Sequence, residues 1–91
     1  MELKEKIPVR SDKAASRIIE GEAVIVVLDQ QQTIVLNEVG SRIWEIIDGE
    51  KNIDSIVQAI TSEFDSTYGV ALEDISVFLE DLAQRGAVLF A

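Results

Sequence analysis

The hydrophobic period of the chain changes once, at Leu36–Asn37, and the change divides it into a β half and an α half. Before that point the apolar residues come in short β-branched runs. Residues 16–20 (SRIIE) are β-prone, Gly21-Glu22 breaks the run, and residues 23–28 (AVIVVL) are apolar on both faces, as a central strand requires. A polar turn over 29–31 leads to a third run, TIVL at 33–36. The expectation is a three-stranded antiparallel meander.

After Leu36 the spacing becomes helical. Asn37 suits the N-cap of a helix from Glu38, with an acid in its first turn where the dipole favours one. Val39, Ile43, Trp44, Ile46 and Ile47 give that helix a broad apolar face, and Asp48-Gly49 ends it. Gly40 in its first turns costs about 1 kcal/mol relative to alanine, which a close packing contact would justify. Asn52 caps a second helix, with Ile53, Ile56, Val57, Ile60 and Phe64 at i, i+3, i+4, i+7 and i+11. Ser66 to Gly69 reads as a loop. A third helix is expected over 71–85, with Leu72, Ile75, Leu79 and Leu82 facing the core and Gly86 stopping it. The tail AVLF at 87–90 is read as a short strand or an apolar tail. Strands followed by helices make an α+β domain, here a three-stranded antiparallel sheet and then three helices, compatible with a winged-helix-like arrangement. The division is an N-terminal arm, 1–15, and a domain, 16–91.

What the chain lacks narrows its chemistry. Among its 91 residues there is no histidine and no cysteine. This removes the commonest general base, the commonest metal ligand, the thiolate nucleophile and any disulfide. No phosphate loop, nucleophile elbow or metal-binding spacing is present, and the acids Glu73-Asp74 and Glu80-Asp81 fall on helix surfaces without a cleft to raise one pKa. The expectation is therefore no enzyme, no cofactor and no metal. Seventeen acidic residues against eight basic ones give a formal charge of −9, a field that repels nucleic acid and anionic membrane surfaces and favours cationic or apolar partners. The longest apolar run, 23–28, is far short of the roughly 20 residues of a membrane span, and the N-terminal MELKEKIPV has no apolar signal region. The chain begins with methionine and is read as a complete small cytoplasmic protein.

The ordered signals from Val27 to Gly49, VLDQQQTIVLNEVGSRIWEIIDG, resemble the core of the pyrroloquinoline quinone biosynthesis protein D family. That family has a strand ending in Leu-Asn, a helix with an apolar-Trp or apolar-Leu pair, and then Asp-Gly. Here these are Leu36-Asn37, Ile43-Trp44 and Asp48-Gly49. Ile53, Ile56-Val57 and Phe64 match its second helix, and Asp74, Ile75, Phe78-Leu79, Leu82 and Gly86 match its third. The likeness covers roughly residues 16–91. It departs at the turn over 29–32, where many relatives carry a glycine, and at Thr33-Ile34, where many carry an aromatic.

The resemblance implies a non-catalytic recognition element for ribosomally synthesised, post-translationally modified peptides. In such a role the leader of a precursor peptide adds as a strand to the third strand and lies against the third helix, where it is presented to a modifying enzyme, a radical SAM enzyme or another tailoring enzyme. Carried onto this sequence, the docking strand is Thr33, Ile34, Val35 and Leu36. On a helical wheel, Asp74, Phe78, Asp81 and Arg85 form one shoulder of the third helix, beside the core arc, and suit the wall of a groove for an apolar, partly basic peptide. Val77 lies further from the core and would be an apolar contact in such a groove. The strand alternates, so Thr33 and Val35 share one face and Ile34 and Leu36 the other, and the sequence leaves open which face packs inward. The bland readings are that Phe78 belongs to the core, that the charges are a solvated face, and that the arm or a second copy covers the strand edge. The functional alternatives are a homo-oligomeric structural or carrier protein, as a homodimer for example, and a winged-helix DNA binder, against which the acidic third helix speaks.

Overall fold

The computed structural model describes residues 3–91, and Met1 and Glu2 of the expected arm lie outside the described residues. A single 3-10 turn, Leu3–Glu5, precedes β1 (Pro8–Arg10), β2 (Ala14–Ile19), β3 (Glu22–Val27), β4 (Gln32–Val35), α1 (Glu38–Ile46), α2 (Ile53–Glu63), α3 (Tyr68–Gln84) and β5 (Val88–Phe90). The α+β order read from the sequence is the order found, with a second, two-stranded sheet added.

The main sheet is the antiparallel meander β2-β3-β4. Its first turn has Glu20 and Gly21 at φ of 53° and 84°, the positive values that a two-residue hairpin needs if its twist is to match the strands. In β3, Ala23, Ile25 and Val27 are fully buried while Val26 is exposed. β3 is thus the central strand, but helices cover only one face of the sheet. The apolar outer positions of the AVIVVL run are set by strand pairing rather than by a second packing layer.

The core lies between that inner face and the three helices. α1 and α2 start where asparagine supplies the missing acceptor: Asn37 Oδ1 accepts from Gly40 N–H at 2.8 Å, and Asn52 Oδ1 from Ser55 N–H at 2.9 Å. Trp44, 1% exposed, is the largest fully buried side chain, and its indole N–H donates to Ser16 Oγ at 3.0 Å. α3 begins at Tyr68, three residues before its expected start, and its N-cap Thr67 makes no side-chain capping bond. Gly86, at φ 84°, ends the helix after Arg85.

The segment expected as an arm is tied down. β1 pairs antiparallel with β5, Val9 opposite Leu89. Ser11 N–H donates to Ala87 O at 2.9 Å, and Lys6 O accepts from Ile53 N–H at 2.9 Å. β2 itself begins at Ala14, inside that segment. No helix among the described residues is long and apolar enough to cross a membrane.

Candidate functional site

β4 is an edge strand, and its register sorts its residues. Leu36 N–H donates to Ala23 O at 2.9 Å, and Ile34 stands opposite Ile25. In an antiparallel ladder the bonded pairs alternate, so Ile34 and Leu36 turn their backbone groups toward β3 and the N–H and C=O of Thr33 and Val35 point off the open edge. The side chains follow the same alternation. Ile34 and Leu36 are 7% and 6% exposed in the core, whereas Val35 is 63% exposed on the outer face. The inward face that the sequence left open is therefore that of Ile34 and Leu36.

Both ends of β4 are held in place. At its C-terminal end the buried hydroxyl of Ser41 accepts from Ala23 N–H at 2.7 Å and donates to Leu36 O at 3.2 Å, bridging the last rung of the β3–β4 ladder and fastening it to α1. At its N-terminal end the loop before β4 meets the end of α3: a β-carbon on Gly86 would lie 3.4 Å from Gln30 Cγ and 3.4 Å from Val27 Cγ1.

α3 passes both ends of this strand. Near its middle, Phe78 packs on Gly40, just beyond the C-terminal end of β4, and Gly86 meets the loop before it. The span from Phe78 to Gly86 covers about 12 Å of helix, close to the roughly 13 Å of a four-residue strand. This half of α3 thus reaches from the first turn of α1 to the loop before β4. On it, Asp81 and Arg85 are exposed and joined by a 3.1 Å ion pair one turn apart. Phe78 is partly buried against the core while Val77, one residue earlier, is 64% exposed on the outward crest. Phe78 and Asp74 thus face the α1 side, and Val77 lies on the exposed surface one turn from Asp74 and Asp81.

Where β4 runs into α1 a cavity of ≈ 350 Å³ opens between the three helices. Ile43, Ile60 and Ile75 floor it, Phe64 and Phe78 wall it, and the carboxylates of Asp65 and Asp74 stand at its rim. Sequence reasoning named only Phe78 and Asp74 of this set as site residues. The signal for the rest was Gly40: a glycine in the first turn of a helix marks a close approach, and here the neighbour is the Phe78 ring. Beside the cavity, Arg42 and Glu63 join α1 to α2 by two bonds of 2.7 and 3.0 Å. The guanidinium holds the Glu63 carboxyl below the usual glutamate range, and Glu63 in turn raises Arg42.

The family model of coenzyme PQQ synthesis protein D (PqqD) matches residues 22–88. Among solved structures, TbiB1 in complex with the TbiA(beta) leader peptide superposes with a TM-score of 0.83 at 31% identity, over 88% of this chain and 93% of that one. Lasso peptide synthetase B1 complexed with its leader peptide shares the fold, with a TM-score of 0.81 at 17% identity, over 90% of this chain and 96% of that one. None of the curated proteins compared matches the chain. The chain belongs to the PqqD family.

Proposed function

We propose that this PqqD-family chain is a non-catalytic cytoplasmic recognition element that binds the leader of a ribosomally synthesised precursor peptide and holds it for a modifying enzyme. The leader adds as a strand to β4 and lies against the shoulder of α3 that carries Asp74, Phe78, Asp81 and Arg85. The observation that carries this reading is the open edge of β4. Thr33 and Val35 offer two N–H and two C=O groups in one plane, on a strand whose ends are fixed. Strand addition to such an edge draws affinity from the backbone and specificity from the side chains beside it. The 31%-identical relative TbiB1, solved with a leader peptide, supports the ligand class.

The test is an NMR titration of labelled protein with the leader of a short reading frame encoded beside this chain. Shifts concentrated at Thr33, Val35, Asp74, Phe78 and Arg85 are expected. Binding that leaves these residues unperturbed would sink the reading. One observation favours the homodimer alternative: β2 is the second open edge of the sheet, and Ile18 and Ile19 on it are exposed. Sedimentation velocity decides that point, since a peptide-free dimer that persists at dilution would favour self-pairing.

A further inference from the structure

We infer that the outer face of the main sheet, the side away from the helices, is a docking surface for an amphipathic helix of a partner protein, one that carries carboxylates beside its apolar stripe. The inference goes beyond leader recognition and does not depend on it. In the β2-β3-β4 register Ala15 stands opposite Val26, Arg17 opposite Val24, Val26 opposite Thr33 and Val24 opposite Val35. These side chains, with Ile19, share the face turned away from the core. An antiparallel sheet covered on one side ordinarily alternates, apolar inward and polar outward. Here Ala15, Ile19, Val26 and Val35 are apolar and exposed on the open side, and the half-buried Val24 lies among them. Strand pairing accounts for β-branching at such positions but not for their lack of polarity, since threonine serves a strand as well as valine does. A contiguous apolar patch left exposed in this way marks an interaction surface.

The shape selects a helix. A shallow cavity of ≈ 350 Å³ lies over β2 and β3, lined by Ala15, Ser16, Arg17, Ile19, Val24 and Val26. Three strands make a face about 14 Å wide, room for one helix of about 10 Å diameter. From Ala15 to Ile19 the trough runs about 13 Å, the length of two to three helical turns. A helix laid there gives the sheet the second packing layer that this chain does not supply. Charge sets the flank of that helix. Arg17 lies within the trough and makes no hydrogen bond or ion pair among the described residues. The acid on this face is Glu22, at the hairpin end opposite Ile19. The acidity of the chain belongs to the other layer: five basic residues stand against five acidic ones over residues 3–35, and three against eleven over 36–91. A carboxylate-bearing helix therefore meets a neutral half of the molecule with a free guanidinium at its centre.

The experiment titrates the full, isotope-labelled chain by NMR with a designed helical peptide of roughly 18 residues. Its leucines are spaced i, i+3, i+4 and i+7, and glutamates flank them; a counterpart carries lysines in their place. The glutamate peptide should shift Ala15, Arg17, Ile19, Val24 and Val26, and bind about threefold or more tighter than the lysine peptide. Arg17→Glu should reverse that order. The double variant Val24→Thr/Val26→Thr keeps the β-branching of the strand, with folding checked by circular dichroism, and should weaken both peptides. An absence of shifts, shifts confined to the helical layer, or a preference indifferent to Arg17→Glu would overturn the inference. Broadening of the same residues as the protein is concentrated without peptide would overturn it too, by giving the face to a second copy. Leader docking is read separately, from the Thr33 and Val35 amides and from α3, and stands or falls apart from all of these outcomes.

Discussion

The Phe78 ring occupies the space that a side chain on residue 40 would need: a β-carbon there would lie 3.3 Å from Phe78 Cε1 and Cζ and 3.2 Å from Asn37 Oδ1. Alanine at this position gains about 1 kcal/mol of helix propensity. It loses a similar amount by crowding the ring and the cap, because well-packed sites resist added atoms. Gly40→Ala should therefore change the urea-unfolding free energy by less than about 1 kcal/mol while shifting the Phe78 ring resonances. Gly40→Val adds branching against the same ring and should destabilise by about 1–3 kcal/mol.

Val35→Pro tests the open edge directly. Its N–H points off the sheet, so no ladder bond is lost, and proline is tolerated on edge strands. The far-UV circular dichroism spectrum should stay unchanged. Leader affinity should fall about tenfold or more, from one lost backbone bond and the ring standing where the added strand must lie. Ile34→Pro would remove a bond to β3 instead, and should unfold the hairpin.

Trp44 joins three elements. Its indole N–H bonds to Ser16 on β2, its carbonyl accepts from Arg10 on β1, and the Arg10 guanidinium lies 4.6 Å from its ring centre. Trp44→Phe should cost about 2 kcal/mol in denaturant unfolding, through the lost bond and the smaller ring. Arg10→Ala, which removes the stacked cation, should cost roughly 1 kcal/mol.

Asp48 sets an acid limit. The Lys51 ammonium at 2.7 Å, with the Lys51 and Glu50 N–H groups at 2.9 Å each, holds its carboxyl far below the usual aspartate range. A depressed folded-state pKa stabilises the fold at pH above the ordinary carboxylate range, about 4, and that contribution fades as the pH falls toward the folded value. Melting temperature should therefore drop more steeply below about pH 4 in the parent chain than in Asp48→Asn. Carbon-detected NMR should show the Asp48 carboxyl still ionised below the usual aspartate range.

Much of this architecture was legible because it is local. Asn37 and Asn52 cap where short polar side chains precede apolar periodicity, and the stripe from Ile53 to Phe64 allows one helix face only. The β1–β5 pairing was not legible. It joins Pro8–Arg10 to Val88–Phe90 across nearly the whole chain, and three residues carry too little period to announce a partner. Tyr68 opens α3 ahead of expectation because Thr67 offers no capping bond to mark the boundary. At the site, alternation along Thr33 to Leu36 gave two faces and could not choose between them. That choice is made by β3, whose buried Ala23, Ile25 and Val27 lie on the same side as Ile34 and Leu36. Phe78 was ambiguous in the sequence because it is only partly buried, packed on Gly40 and bordering the cavity.

The Ser41 hydroxyl, placed between Ala23 N–H and Leu36 O, has a kinetic consequence. It replaces a rung of the ladder with a bond that belongs to the helix, so β4 cannot fray from that end without disturbing α1. A strand fixed in this way has nothing to rearrange when a ligand arrives. The ordering entropy of association then falls almost wholly on the incoming peptide. Prolines or a turn that extend the free peptide should slow its departure more than they hasten its arrival.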